Sequence, residues 1–214
     1  AVLSVVSLGT GSAEYLTRGG EAAMRNAKQL VLRTGRSPIA SFLTEQGFDF
    51  DTLDDLYEQC EDFDAFHQAA AVTLFSRMKE GDLCYVVSDA AFDGTVFALQ
   101  RLKPRDLELR IVPGVSLADC CLSLIKRQSG HVRIMSACEL EESKLLPDEP
   151  LLLCELYSRE CAGDCKLKLM ELLPDELPVT LITGREEDGI LQAEEIPLME
   201  LDRQEKYDHL MAVY

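Results

Sequence analysis

Gly9-Thr10-Gly11 follows directly on Val2–Leu8, a short apolar and largely β-branched run that reads as a buried strand. A strand that opens into a glycine turn places bare main-chain N–H groups at the carboxyl edge of a sheet, where open α/β folds bind their ligands. The third glycine of a G-x-G-x-x-G fingerprint would fall at Glu14, whose carboxylate repels a pyrophosphate. A nicotinamide or flavin dinucleotide is thereby disfavoured. Two more stretches join this turn as candidates for one ligand site: Ser88-Asp89-Ala90-Ala91-Phe92-Asp93 after the run Leu83–Val87, and Pro113–Leu117 after Leu107–Val112. Asp89 offers a carboxylate to a cationic group or caps the turn that follows it. Ser116 presents a hydroxyl to a ligand while also suiting a helix N-cap, and the two roles are compatible.

Other reactive side chains are scattered rather than grouped. His67, with Phe63 and Phe66 beside it, suits half-buried packing better than chemistry, and Tyr57 precedes it in an acidic stretch. Arg18, Arg33 and Arg36 are candidates for gripping an anion, although surface arginines seldom do anything specific. The cysteines at 60, 84, 120, 121, 138, 154, 161 and 165 form no C-x-x-C pair and have no histidine at zinc spacing, so no metal is expected. Cys84, Cys120, Cys121 and Cys154 lie in apolar runs and read as buried reduced thiols, while Cys161 and Cys165 share a helix face. The acidic runs Glu139–Glu142 and Glu186–Asp188 read as solvated loops, lacking the paired helical carboxylates of a pyrophosphohydrolase. No Ser-His-Asp order and no G-x-x-x-x-G-K-S/T loop is present.

The net charge of −17 repels nucleic acid, and no Lys/Arg stripe with interleaved aromatics offsets it; the field mildly favours a cationic small molecule. No apolar run reaches membrane-spanning length and no basic-then-apolar leader opens the chain, so the expected location is the cytoplasm, away from membranes.

The elements that must hold these loops alternate. Strands are expected at Val2–Leu8, Leu30–Arg33, Leu83–Val87 and Leu107–Val112. Helices are expected at Gly20–Leu30, Ser37–Gln46, Asp62–Lys79 and Gly94–Leu102, with Asp51–Tyr57 mixed and unassigned. This order implies right-handed crossovers and a mostly parallel sheet in residues 1–113. Beyond Pro113 the rhythm changes. Helices at Leu117–Arg127 and Cys161–Leu173 are interleaved with strands at His131–Met135, Leu151–Glu155 and Val179–Thr183. Two runs, Gly189–Ala193 and Ile196–Leu201, are too close for a helix between them and are expected to pair antiparallel. Residues 114–214 thus read as a second α/β subdomain with a mixed sheet.

The ordered set Leu8–Ser12 with Leu16-Thr17, the loop 88–95, Val112–Ser116 and the run Leu153–Leu169 resembles the tetrapyrrole methylase family of class III S-adenosylmethionine-dependent methyltransferases. Leu32-Arg33-Thr34, Asp54–Tyr57, Glu155–Glu160 and the ending Tyr207–Leu210 with Val213-Tyr214 make the resemblance closest to the version fused ahead of MazG-type nucleotide pyrophosphohydrolases. The resemblance implies two α/β domains with S-adenosylmethionine bent into a cleft between them, usually in a homodimer. By position it assigns donor binding to Gly9, Thr10 and Gly11, to Ser88, Asp89 and Phe92, to Ser116 and Leu117, and to Glu155, Thr183 and Gly184. The chain departs from the family pattern at Thr10, which replaces a proline, at Ser12, which replaces an acid, and at Ala90-Ala91, where a proline is usual. Without those prolines the loops are expected to be looser and costlier to order.

A sulfonium donor carries its own activation, so the protein mainly aligns methyl and nucleophile and excludes water; no catalytic side chain is assigned. The charge of −17 disfavours a polycarboxylate tetrapyrrole as acceptor and suits a cationic or neutral one, such as a peptide. The rival reading is a catalytically silent donor-binding or scaffolding module that positions a downstream pyrophosphohydrolase. A third, a nucleotide-binding α/β enzyme, is disfavoured by Glu14 and the missing phosphate loop.

Overall fold

The computed structural model describes residues 1–127, 129–185 and 187–214 of the chain, and it divides into two compact units. The first comprises Ala1–Ser116 with Glu186–Gly189, and the second Leu117–Arg185 with Ile190–Tyr214.

The first unit is built on strands β1 (Val2–Ser7), β2 (Gln29–Leu32), β3 (Asp51–Thr52), β4 (Leu83–Val87) and β5 (Glu108–Val112). They form one sheet in the order β3-β2-β4-β1-β5, and every pairing is parallel. The central strand β4 is buried throughout, as expected of Leu-Cys-Tyr-Val-Val with both faces covered. Alternate residues serve two cores. Leu3, Val5, Leu83, Tyr85 and Val87 face helices α4 (Phe63–Arg77) and α5 (Gly94–Leu102). Val6, Leu8, Cys84 and Val86 face α1 (Arg18–Asn26) and α2 (Ile39–Glu45). The helices after the adjacent strands β1 and β4 therefore leave to opposite faces, which makes the carboxyl ends of these two strands the sheet's topological switch point.

The helix starts follow local chemistry. Thr17 Oγ1 accepts the Gly20 N–H at 3.0 Å, Asp62 Oδ1 accepts from Ala65 at 2.7 Å, and Asp93 Oδ1 accepts from Val96 at 3.0 Å. The first helix stops at Asn26, four residues short of the expected Leu30, because Leu30 is claimed by β2 and buried in the sheet. The acidic stretch left unassigned in the sequence forms β3 and a short helix, α3 (Asp54–Gln59).

The second unit carries β6 (Arg133–Ser136), β7 (Leu151–Cys154), β8 (Pro178–Gly184), β9 (Leu191–Pro197) and β10 (Ala212–Val213), with helices α6 (Leu117–Leu124) and α7 (Arg159–Met170). The sheet order is β6-β7-β10-β8-β9; β6 and β7 are parallel and the other pairs antiparallel, so the sheet is mixed. The two runs expected to pair with each other form instead one strand, β9, whose partner is β8 in an unbroken register from Pro178–Pro197 to Gly184–Leu191. Residues 198–200 then coil into a 3₁₀ turn. The intended turn between the runs, Glu194-Glu195, is carried straight along an edge strand whose charged side chains remain in water. β10 escaped the sequence reading because it is two residues long, yet it fills the centre of the sheet between β7 and β8.

Candidate functional site

Three loops gather at the carboxyl ends of β1, β4 and β5 in the first unit. The Leu8 N–H donates to the Val87 carbonyl at 3.0 Å and the Gly9 N–H to the Ser88 carbonyl at 2.8 Å, extending the β1–β4 ladder into both loops. Ser7 Oγ accepts the Ala90 N–H at 2.9 Å, which draws the second loop back over the end of β1. Gly114, in the third loop, passes so close that a Cβ there would lie 2.9 Å from the Ser7 carbonyl oxygen. Gly9, Thr10, Gly11, Ser88, Asp89 and Phe92 are thus brought together with Pro113–Ser116.

The first loop differs in one respect from the sequence expectation. Its glycine N–H groups are not bare: Gly9 donates to Ser88, and Gly11 donates to the Leu8 carbonyl at 2.9 Å. Gly9 and Gly11 adopt φ of 58° and 86°, the left-handed region that folds the turn on itself. Thr10 is the residue left with a free group. It is 1% exposed, and its Oγ1 is buried with no hydrogen-bond partner among the described residues. Gly189 packs over it at φ 70°, where a Cβ would come within 2.7 Å of the Thr10 carbonyl oxygen and 2.8 Å of Oγ1. Nothing in the sequence marked Gly189, which is remote in the chain. Ser12 is not a vacant stand-in for an acid; its hydroxyl caps the short turn Ala13–Tyr15 through the Glu14 N–H.

The second loop closes around Asp89, which is 2% exposed. Its Oδ1 accepts the Ala91 N–H at 3.0 Å, and its carbonyl accepts from Phe92 and Asp93. This is the turn-capping role; a proline-free loop is here held by its own aspartate rather than left slack. The loop ends at Asp93, fully buried, with Oδ1 capping α5 and Oδ2 3.2 Å from Arg33 Nη1. Arg33, weighed in the sequence as an anion grip, is therefore engaged by a carboxylate, a pairing its exposed-looking Leu-Arg-Thr-Gly context did not reveal.

Around this edge sit two more titratable groups. His67 Nδ1 lies 3.0 Å from Thr95 Oγ1, and its ring fills the space a side chain at Gly94 would take. Burial lowers its affinity for a proton, against the pull of Asp93, so the imidazole is favoured as the neutral base. Burial alone would raise the Asp54 carboxyl, but the Gly35 N–H at 2.8 Å, with Thr34 and Thr52, outweighs it and holds the group below its ordinary value. Tyr57 is half exposed and meets Phe63 at a tilt and Phe66 edge-on, at 5.3 and 5.5 Å between centroids.

The remaining candidates lie on the second unit. Leu117 is fully buried at the start of α6. Glu155, directly after β7, is 6% exposed and takes a φ of 64°, an uncommon conformation for a residue with a side chain. Thr183 and Gly184 end β8, where Gly184 leaves room for Leu210: a Cβ would sit 2.7 Å from Leu210 Cδ1. Of the acidic run Glu186–Asp188, Glu186 lies outside the described residues. In the other acidic run, Glu139 completes a capping box with Ser136.

A parallel five-stranded sheet with a loop-lined switch point, accompanied by a mixed five-stranded sheet, is the architecture of class III methyltransferases. The chain matches the precorrin-6Y methylase of Archaeoglobus fulgidus over 99% of its length and 96% of that protein's, with a TM-score of 0.67 and 14% identity. It matches the uroporphyrin-III-C-methyltransferase of Thermus thermophilus over 100% and 94%, at 0.65 and 18% identity. A diphthine synthase matches over 100% and 88%, at 0.65 and 15%. The model of the tetrapyrrole (corrin/porphyrin) methylases matches residues 2–183, and the chain belongs to that family. It is also 28% identical, over 99% of its length, to the uncharacterized protein YabN of Bacillus subtilis, and spans 44% of that relative.

Proposed function

We propose that this chain is an S-adenosylmethionine-dependent methyltransferase module whose donor site is formed by the loops at the carboxyl ends of β1, β4 and β5. The observation that supports it best is the orphaned Thr10 Oγ1, a buried hydroxyl at the switch point that has no hydrogen-bond partner among the described residues. An unpaired buried polar group costs free energy, and a bound polar ligand is what would supply its partner. The residues present fit a sulfonium nucleoside: a buried hydroxyl, the buried Asp89 and the half-buried Phe92 as an apolar surface.

When bound, the donor supplies an already activated methyl group. Thr10 and the main chain of Gly9 and Gly11 would bind it, and Ser88, Asp89 and Phe92 would orient it, with Ser116, Leu117, Glu155, Thr183 and Gly184 as further proposed contacts by family position. The loops' mutual hydrogen bonds lower the ordering cost of binding, in place of the usual prolines. His67, favoured as the neutral base, is a candidate to take the proton that an acceptor N–H or O–H must lose. The acceptor is proposed to be cationic or neutral, because a charge of −17 repels polycarboxylates.

A second reading is favoured by a specific pair of observations. Thr10 is almost wholly covered, with Gly189 against it, and the chain spans less than half of its relative. A silent donor-binding or scaffolding module, in a homodimer and joined to a MazG-type nucleotide pyrophosphohydrolase in the cytoplasm, accounts for both. Isothermal titration with S-adenosylmethionine and turnover of a methyl-labelled donor in cell extract separate the readings. Binding with label transfer supports the enzyme, binding without transfer the silent module, and no binding overturns both.

A further inference from the structure

A cavity of about 340 Å³ opens into the second unit and is lined by residues of that unit alone. Its floor is one face of the mixed sheet. Side chains alternate along a strand, so Leu151 and Leu153 of β7 share a face, and Val213 of β10 stands beside Leu153 in register. Val179 of β8 and Leu198 join them; Leu153 is 1% exposed and Leu198 0%, so the cavity reaches the core of the unit. One wall is the end of α7, with Leu169 and, in the turn beyond it, Leu172 and Leu173. The other wall is the segment 145–150. Two leucines, Leu146 at 50% and Leu172 at 49% exposed, mark the mouth.

The second wall is tied down by Arg133 of β6. Its N–H donates to the Pro150 carbonyl at 2.8 Å and its Nη1 to the Lys144 carbonyl at 2.7 Å, while Nη1 lies 3.7 Å from Glu149 Oε2. The Glu149 N–H donates to the Leu146 carbonyl at 3.1 Å and closes the segment into a turn. The cavity is therefore built, not a gap left by an untethered loop. Among the described residues, the charged side chains in its lining are Asp148 and Glu149, both acids. Glu149 is matched by Arg133, whereas Asp148 is exposed and has no ion-pair partner among the described residues. Asp175 and Glu176 are exposed on the turn between the lining residues Leu173 and Leu177. Nearby cations are engaged elsewhere: Lys168 with Glu171 at 3.3 Å, and Arg127 over the Tyr214 ring at 5.6 Å.

We infer that this cavity is a binding site for a single alkyl chain with a cationic head, the chain lying on the leucines and the head in water beside Asp148. An apolar cavity holds water poorly and gains by admitting an apolar ligand. At about 30 Å³ per heavy atom, a water molecule's share of the liquid, the space takes about eleven atoms, an alkyl chain of about ten carbons with its nitrogen. Apart from Asp148, Glu149 and Tyr214, every lining side chain is apolar, so a sugar or a nucleoside would lose its hydrogen bonds to water without replacement. The methyl donor is therefore not its ligand. A fatty carboxylate fits the floor equally well, but it brings a like charge to the acidic rim. The head group is what the rim selects, and the leucine floor sets the length of the chain.

The test is isothermal titration of the whole chain, at low salt, with hexyl-, octyl- and decyltrimethylammonium below their micelle thresholds, and with decanol and decanoate for comparison. One-to-one binding is expected, about tenfold tighter for every two methylenes added. Decanol should bind about threefold and decanoate about tenfold more weakly than decyltrimethylammonium, a preference that salt reduces. Asp148→Asn should bring decyltrimethylammonium and decanol to equal affinity. The double variant Leu146→Asn with Leu172→Asn changes two half-exposed positions, so its melting by circular dichroism should match the parent while it binds every probe about tenfold more weakly. Decanoate binding as tightly as the ammonium, affinity independent of chain length, a head-group preference that survives Asp148→Asn, binding indifferent to the double variant, or no heat with any probe would each overturn the assignment.

Discussion

Asp93 offers the sharpest test of how the second loop is held. Its side chain is fully buried, one oxygen caps α5 through Val96 and the other faces Arg33, itself only 14% exposed. Removing one member of such a pair deprives the other charge of that compensation, at a cost of about 3–5 kcal/mol. Asp93→Asn keeps a cap acceptor but leaves Arg33 without this partner; since Arg33 retains some access to water, about 3 kcal/mol is expected. Asp93→Ala also loses the cap, worth about 1 kcal/mol more. Arg33→Met leaves the Asp93 carboxylate with the Val96 N–H as its one hydrogen-bond donor among the described residues, and about 3 kcal/mol is again expected. The double variant Arg33→Met with Asp93→Asn removes both charges and is expected to cost little more than either single change, a coupling of about 2–3 kcal/mol. Because the chain has no tryptophan, the assay is urea unfolding followed by far-ultraviolet circular dichroism, with hydrogen exchange over Gly94–Leu102 reporting on the capped helix. Additive costs, or an Asp93→Asn variant within about 0.5 kcal/mol of the parent, refute the reasoning.

Other outcomes follow from the same edge. Thr10→Val removes the orphaned hydroxyl at nearly constant volume, so stability should hold or rise by up to about 1 kcal/mol while donor affinity falls, read by thermal melting and titration calorimetry. Gly189→Ala forces a side chain into a left-handed φ of 70° against the Thr10 carbonyl, and should cost about 2–3 kcal/mol in urea unfolding. His67 carries a proton less readily in the folded chain than its ordinary value of 6.5. Below pH 6.5 the unfolded chain therefore binds more protons than the folded one, and stability falls as pH drops toward the folded value, with no contribution above 6.5. His67→Gln should flatten that slope between pH 7.5 and 5; an unchanged slope assigns it to other groups.

Much of the first unit was legible because its strands are continuous apolar runs and its helices carry their own caps: Thr17, Asp62 and Asp93 each stand where a helix begins. The loops 9–12 and 88–93 were legible for the same reason, since glycine and aspartate at strand ends have few other uses. What sequence periodicity missed depended on distant partners. β10 has only two residues and exists because β7 and β8 flank it. β9 reads as two runs because its middle residues are charged, although the β8 ladder carries it straight through. The Arg33–Asp93 pair and the Gly189–Thr10 approach join residues 60 and 179 positions apart, distances over which no spacing rule operates.

Hydrogen exchange with and without S-adenosylhomocysteine, the demethylated donor, bears most directly on where the nucleoside sits. Protection at residues 8–12, 88–93 and 112–117 is predicted, with loss of that protection in Thr10→Val. Unchanged exchange at all three loops, or protection elsewhere in their place, contradicts a donor site at the ends of β1, β4 and β5.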